Sequence, residues 1–326
     1  TNNLLNIFMT TPSLIQLTLD TLRCTQRDLA AKLGVSPAQV SKWKKGEYMS
    51  IEMSQRLRAL TGIGDIDPDF ILLAGTMEDA KKWQLLIRHL ADTAVHSAET
   101  GYETVPLTED IQEDSCPIFF DTLKALQDMG IEIPSQYPEE LDINFQNDEQ
   151  EELIYKNNIV FIINEIFNSL NNVYGFYSAF VSGIIYDEDL DLIDTPVWEL
   201  ENDMLRLAAS KIEIDKDLTP EFIRFKWTIE TEVAKKLSLL KEYAFKSCIP
   251  LKAELLDLAY ASHDELGREA DAHSLGFTRN KIHPDIYLNE LLTGMRVIHQ
   301  VLPVIMKKLD IYEDFKIDTS ELSAER

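Results

Sequence analysis

Two sets of helix-start and helix-stop signals near the N-terminus constrain the fold of this chain most strongly. Thr25 and Asp28 have the spacing of a capping box, in which a hydroxyl and a carboxylate satisfy the first free N–H groups of a helix. Gly34 supplies the positive φ that ends a short helix. Ser36, followed by Pro37 at the favoured first helical position, starts a second helix. Two short helices joined by a glycine turn predict a helix-turn-helix, whose second helix can enter the DNA major groove.

The second predicted helix has one apolar and one polar face. Val40 and Trp43 fall on the inward side, and Gly46 ends the helix. The outward positions are Pro37, Ala38, Ser41, Lys42 and Lys45. A lysine can reach the O6 and N7 acceptors of guanine, a serine can donate or accept, and an alanine can contact a thymine methyl. This face therefore has the chemistry to read base edges.

The same part of the chain resembles a known family. The stretches that carry the resemblance are "TQRDLAAKLGVS", "QVSKWKKGE" and "SIEMSQRLRAL", within roughly residues 13–75. They are similar to the Cro/CI-type, or XRE-like, DNA-binding domain of phage repressors and bacterial regulators. The resemblance implies a five-helix, lambda-repressor-like domain, with "SLIQLTLDTL" as its first helix and "DPDFILLAG" as its fifth.

The resemblance also implies which residues contact DNA. The residues expected to hold phosphates or to lie near the DNA backbone are Gln26, Ser36, Lys44 and Lys45. Those expected to face base edges are Pro37, Ala38, Ser41 and Lys42, and Arg27 belongs to the same DNA-binding set. Pro37 and Ala38 stand where many relatives place long polar side chains. Ser41 and Lys42 are therefore the main expected readers.

Charge is distributed unevenly along the chain. The 326 residues have a formal net charge of -25, from 31 Lys and Arg against 56 Asp and Glu. Residues 1–75 hold 8 of the basic and 7 of the acidic residues, which leaves 23 basic and 49 acidic residues for the remainder. The remainder would repel nucleic acid, whereas the N-terminal segment would not. Because a net charge of +1 is weak for a DNA-binding segment, a dimer on paired half-sites is the expected working unit.

Composition favours an all-α fold for the acidic remainder. The chain has only 12 Gly and 12 Pro, too few for many short strands and tight turns, and strand-like alternation is nearly absent. Cys24, Cys116 and Cys248 form no disulfide framework, so a reducing, cytoplasmic location is expected. Residues 166–186 have the length of a membrane span, but the asparagines at one end favour a buried helix.

The pattern of helical and turn-rich stretches predicts a division into segments. The predicted boundaries are 1–76 for the helix-turn-helix domain, 77–99 for a connecting helix, 100–152 for an acidic loop-rich segment with one helix, and 153–326 for a helical oligomerisation or sensor domain. In the last segment, the aromatic and basic stretch from Phe222 to Trp227 is interpreted as core aromatics with solvated cations, because these residues do not share one helix face.

These observations predict a sequence-specific, DNA-binding transcriptional regulator of the repressor type. We expect it to bind double-stranded DNA as a homodimer, with the acidic helical domain supplying oligomerisation and sensing a ligand or a protein partner. The acidic domain would lower nonspecific affinity and make binding steeply dependent on salt. We expect no catalysis, no cofactor, no metal and no membrane association.

Three alternatives remain open from the sequence. The helix-turn-helix domain could serve protein contacts alone, without binding DNA. The chain could be a phage-defence or toxin–antitoxin component, in which this domain tethers or autoregulates a helical effector. It could also be an enzyme with a site around His263, His273 and His283, where imidazoles and carboxylates concentrate. That stretch lacks HExxH, a glycine-rich phosphate loop and any nucleophile motif.

Overall fold

The computed structural model describes residues 2–108, 110–143, 145, 153–215, 217–247, 253–277 and 284–312. Within these ranges the chain forms α-helices, short 3-10 helices and turns, and it contains no strand. The expected all-α fold is therefore confirmed. Among the helices described, none is both long enough and apolar enough to cross a membrane.

Five helices form an N-terminal bundle. Their bounds are α1 Asn2–Leu22, α2 Gln26–Leu33, α3 Pro37–Lys44, α4 Ile51–Thr61 and α5 Pro68–Ala74. α1 packs against α3, α4 and α5 through a side that includes the buried residues Leu14 and Ile15. The predicted first helix is present, but it begins well before the expected stretch and continues through Pro12.

The rest of the chain forms a larger helical body. Its helices are α6 Met77–His96, α7 Val105–Thr108, α8 Pro117–Asp128, α9 Asn158–Phe180, α10 Ser182–Ile185, α11 Met204–Lys211, α12 Phe222–Lys246, α13 Asp257–Tyr260, α14 His263–Ser274 and α15 Pro284–Lys308. Short 3-10 helices cover Asp110–Gln112, Glu139–Leu141, Pro196–Asp203 and Ala253–Leu256. The acidic segment 100–152 thus holds short helical turns besides its one predicted helix, α8.

Helix α9 lies at the centre of the body. It packs against α6, α11 and α14, and its residues Ile163, Phe167 and Leu170 are fully buried. The uncharged stretch 166–186 therefore belongs to a buried helix, as expected, and continues into the short helix α10. Burial on several sides explains why this stretch is nearly continuous in apolar residues.

The body also contains polar groups that are hydrogen-bonded to one another. Glu201 accepts hydrogen bonds from three phenols: Tyr174 at 2.6 Å, Tyr186 at 2.6 Å and Tyr177 at 3.3 Å. Burial, reinforced by Glu201, raises the pKa of Tyr186 to about 12. These bonds connect α9, α10 and the 3-10 helix Pro196–Asp203 around one carboxylate.

The body also contains a buried lysine. The Nζ of Lys211 donates hydrogen bonds to the carbonyl oxygens of Ala259 at 3.0 Å and Ala261 at 2.6 Å. Burial lowers the pKa of Lys211 to about 8. The ammonium thus satisfies carbonyls at the end of α13 and ties α13 to α11.

The bundle and the body are joined at Gly75, between α5 and α6. Gly75 has φ 106, and a Cβ at this position would collide with the carbonyl oxygen of Ser135. On the same side, the rings of Phe70 in α5 and Phe119 in α8 lie 5.9 Å apart. The bundle therefore packs directly on the body.

Two carboxylates lie near this junction. Burial raises the pKa of Asp121 in α8 to about 7, with Arg206 opposing the rise and Asp67 adding to it. Asp67 caps the start of α5, and burial raises its pKa as well. The carboxylate of Asp67 thus makes ionisation of Asp121 less favourable.

One predicted core residue lies at the surface. Helix α12 buries a stripe that includes Phe225, Ile229 and Val233, whereas Trp227 is 68% exposed. The interpretation of this stretch as core aromatics is therefore wrong for Trp227. Two residues along a helix turn a side chain to nearly the opposite side, so Phe225 and Trp227 cannot both face the core.

Candidate nucleic-acid interface

The first helix of the motif, α2, begins with a complete capping box. The N–H of Thr25 donates to Oδ2 of Asp28 at 3.0 Å, and the N–H of Asp28 donates to Oγ1 of Thr25 at 3.3 Å. The hydrogen bonds from Thr25 lower the pKa of Asp28. The predicted capping box is confirmed, and it fixes the residue at which α2 starts.

The turn between the two helices is fixed by a glycine conformation and by an arginine of α4. Gly34 has φ 72, the left-handed conformation predicted for it. Arg56 of α4 donates to the carbonyl oxygens of Leu33 at 3.1 Å and Lys32 at 3.3 Å, which are free groups at the end of α2. Sequence reasoning missed Arg56, because this contact joins residues 23 positions apart and has no local pattern.

The second helix, α3, is fixed by its cap and by its inward residues. Oγ of Ser36 accepts the N–H of Gln39 at 3.2 Å, which confirms the predicted N-cap. Val40 and Trp43 are 0% and 5% exposed, as the pattern predicted. The indole N–H of Trp43 also donates to the carbonyl oxygen of Tyr48 at 3.0 Å. The outward face of α3 is therefore presented by a helix that cannot easily rotate.

All the residues expected to contact DNA are accessible. The exposed ones are Arg27, Ser36, Pro37, Ala38, Lys42, Lys44 and Lys45, and the partly buried ones are Gln26 and Ser41. In α3 they lie opposite Val40 and Trp43, as helical periodicity requires. Residues 25–47 contain 5 Lys and Arg against 2 Asp and Glu, so this surface is locally basic. The role of each residue in DNA contact stays a prediction.

Lys42 has a partner that sequence reasoning missed. Its Nζ lies 3.3 Å from Oε2 of Glu47, and the two side chains are 54% and 53% exposed. Gly46, with φ 87, turns the chain so that Glu47 returns toward α3. An ion pair this exposed contributes less than about 1 kcal/mol, so Lys42 can leave it at little cost. In the sequence, Gly46 after α3 was the feature that could have indicated that the chain turns back here.

The comparisons with known proteins agree with this geometry. Residues 20–64 match the family model described as helix-turn-helix, a range that includes α2, α3 and α4. The N-terminal bundle is an XRE-like helix-turn-helix domain. The helix-turn-helix domain thus combines a matched motif with α5, which lies beyond the matched range. No curated protein sequence and no solved structure matches this chain.

His263 and His273, two histidines of the enzyme alternative, do not share one site. Nδ1 of His263 lies 3.3 Å from Nδ2 of Asn172, and Nδ1 of His273 lies 2.7 Å from the hydroxyl of Tyr102. The two histidines occupy opposite ends of α14. His283 lies outside the described residues. In the part of the chain that the structure describes, no group of three or more His, Cys, Asp or Glu is placed to hold a metal ion.

Proposed function

We propose that this protein is a cytoplasmic transcriptional regulator of the repressor type that binds a specific double-stranded DNA sequence as a homodimer. One observation carries the proposal: the outward face of α3 is exposed and locally basic while Val40 and Trp43 hold the opposite face in the core. A recognition helix needs this combination, because a rigid scaffold must aim a few side chains at base edges.

We assign the two kinds of DNA contact to different residues. Ser41 and Lys42 read base edges, since they lie on the exposed side of α3 at helical spacing. Gln26 and Ser36, at the starts of α2 and α3, position the domain on phosphates, where helix N-termini favour anions. The acidic body contributes oligomerisation and senses a partner or a ligand, and it carries out no catalysis.

The contrast in charge between domain and body supports this division of labour. A body that holds 49 of the 56 acidic residues repels DNA everywhere except at the domain. Nonspecific binding then falls faster with salt than specific binding, since it depends almost entirely on phosphate contacts.

Selection of bound sequences from random DNA, at two salt concentrations, tests the proposal. We expect one enriched motif that persists at the higher salt. Replacing Lys42 and Ser41 together by Ala should weaken binding to that motif by roughly tenfold to a hundredfold, because each base contact contributes about 1–3 kcal/mol of discrimination. Lys81→Ala, which removes an exposed lysine from α6, is the matched control and should leave the motif unchanged. Absence of enrichment at both salt concentrations would contradict a specific regulator.

A further inference from the structure

Helix α15 leaves a long row of apolar side chains in contact with solvent. The set is Met295, Val297, Ile298, Val301, Leu302, Val304, Ile305 and Leu309, and the exposed fractions run from 38% to 62%. In the described chain, α15 packs on the short 3-10 helix Ala253–Leu256, which leaves this row uncovered. Monomeric soluble proteins rarely expose an apolar patch larger than about 600 Å². A patch of this kind marks an interaction surface.

The apolar residues of α15 follow a heptad repeat. Their spacing alternates between three and four residues in the series Leu288, Leu291, Met295, Ile298, Leu302, Ile305 and Leu309. A repeat of 3.5 residues is typical of a helix that pairs with another helix by knobs-into-holes packing. The periodicity thus points to a helical occupant of comparable length.

The side of α15 opposite the heptad positions differs from the apolar row. Val297, Val301 and Val304 widen the apolar face next to the heptad positions. Gln300 is exposed and lies opposite the heptad positions, and Pro303 is partly buried and lies between the two sides. The helix therefore offers one broad apolar face, with a solvated position at Gln300.

We propose that this face is covered by α15 of a second copy of the protein, packed in the antiparallel direction. The pairing that matches the heptad positions from Leu291 to Leu309 places Met295 opposite position 305 of the second copy and Ile298 opposite position 302. A standard interface removes about 800 Å² from each partner, and eight half-exposed aliphatic side chains supply an area of that order.

The charges along α15 favour a second copy over an unrelated partner. The last turn contains Lys307 and Lys308, whereas the sequence of the first turns contains Asp285 and Glu290. Antiparallel pairing brings the basic end of one helix beside the acidic start of the other, and the helix dipoles then also oppose each other favourably. Parallel pairing would place the lysines of both copies together. Antiparallel pairing thus keeps the two lysine turns apart and sets Lys307 within one turn of Glu290 of the second copy, but it also places Asp310 opposite Glu290.

This inference goes beyond the proposed function, because it names the surface by which two copies would associate. It does not require DNA binding. A protein that associates through α15 but selects no DNA motif would contradict the proposed function and leave this inference intact. A protein that selects a DNA motif as a single chain would contradict this inference and leave sequence-specific DNA binding intact.

Light scattering on the full chain after size exclusion tests the association. We expect a mass of two chains, or of four if the broad face takes a second pair, rather than 37.3 kDa. Ile298→Glu combined with Ile305→Glu should weaken association at least about a hundredfold, because both charges would be buried in the interface. Both positions are half-exposed in the single chain, so the fold should keep its far-UV circular dichroism.

Gln300→Glu is the control, since it adds a negative charge at an exposed position of α15 outside the heptad series. This variant should retain the mass of the unmodified protein. A mass of one chain for the unmodified protein would overturn the proposal. An unchanged mass for the double variant would overturn it as well.

A disulfide measurement tests the direction of pairing. Met295→Cys and Ile305→Cys are combined in one chain, the protein is oxidised, and peptide mapping identifies the disulfides. Within one helix these positions are about 15 Å apart, too far for a disulfide. We expect a link between position 295 of one copy and position 305 of another. Links that join each position to itself would indicate parallel pairing and overturn the antiparallel arrangement.

Discussion

The helix-turn-helix domain caps every helix from α2 to α5 with a side chain, whereas the body does so for α6, α9 and α14 but not for several other helices. In the domain, the side chains of Thr25, Ser36, Ser50 and Asp67 cap the helices from α2 to α5. In the body, the described starts of α8, α11, α12 and α13 have no side-chain cap hydrogen bond. Short-range interactions thus define the helices of the domain, whereas contacts between distant segments define several helices of the body.

The two regions also place their charged groups differently. Lys42 and Lys45 lie on the surface of the domain, whereas Lys211 is buried in the body and bonded to two carbonyls. Glu201 accepts hydrogen bonds from three phenols of the body. The same residue types are therefore exposed on the surface of one region and connect helices in the other.

The largest effect should come from the internal connector Lys211. Lys211→Ala should lower the free energy of unfolding by about 3 kcal/mol, because it opens a cavity and leaves two carbonyls without their donor. Lys45→Ala, at an exposed position of the domain, should change it by less than about 0.5 kcal/mol. Urea unfolding at pH 7 measures both values. Equal losses would remove the proposed difference between the two regions.

Asp121, next to the junction, should give the body a distinct dependence on pH. Its pKa is raised from 3.8 to about 7 in the folded protein, mainly by burial, so the folded state binds more protons between these values. Its contribution therefore makes stability fall as pH rises from about 4 to about 7. Asp121→Asn removes this charge and should raise stability at pH 8 by about 2 kcal/mol.

Thermal unfolding of the Asp121→Asn variant across the pH range is the measurement. Its gain in stability over the unmodified protein should shrink as the pH falls toward 4, where the native carboxyl is protonated. A gain of the same size at every pH would show that the charge of Asp121 is not the cause.

Helix starts provide a smaller and more local comparison. Ser36→Ala removes the cap of α3 and should cost about 1 kcal/mol. Glu221→Ala, at the start of α12, removes a residue that makes no side-chain cap bond and should cost less than half as much. The two losses are compared from the denaturant midpoints, provided that the slope of unfolding free energy against denaturant concentration is unchanged. A larger loss for Glu221→Ala would reverse the distinction between local and distant control.

The smallest effect concerns the ion pair on the candidate interface. Glu47→Gln releases Lys42 and should tighten binding to the selected DNA about twofold, since an exposed pair contributes about 0.5 kcal/mol. Glu52→Gln removes an exposed carboxylate of the same domain that is not paired with Lys42, and it controls for general charge. Fluorescence anisotropy titration at low salt compares the two. Equal gains would assign the effect to net charge alone.

The sequence by itself determined the helix-turn-helix motif. The capping box of Thr25 and Asp28, the left-handed Gly34 and the cap at Ser36 are interactions between residues at most a few positions apart. Such interactions form in the same way in almost any surrounding fold, so their spacing can be read directly. The inward direction of Trp43 followed from helical periodicity for the same reason.

Only the tertiary structure decided which distant residues meet. The support of the turn by Arg56, the burial of Lys211 and the exposure of Trp227 each depend on segments far apart in the chain. Periodicity gives the faces of a helix, but it does not say which face finds a partner or where the core ends. The energy of burying a polar group depends on the partner that it finds there, and the partner is supplied by packing.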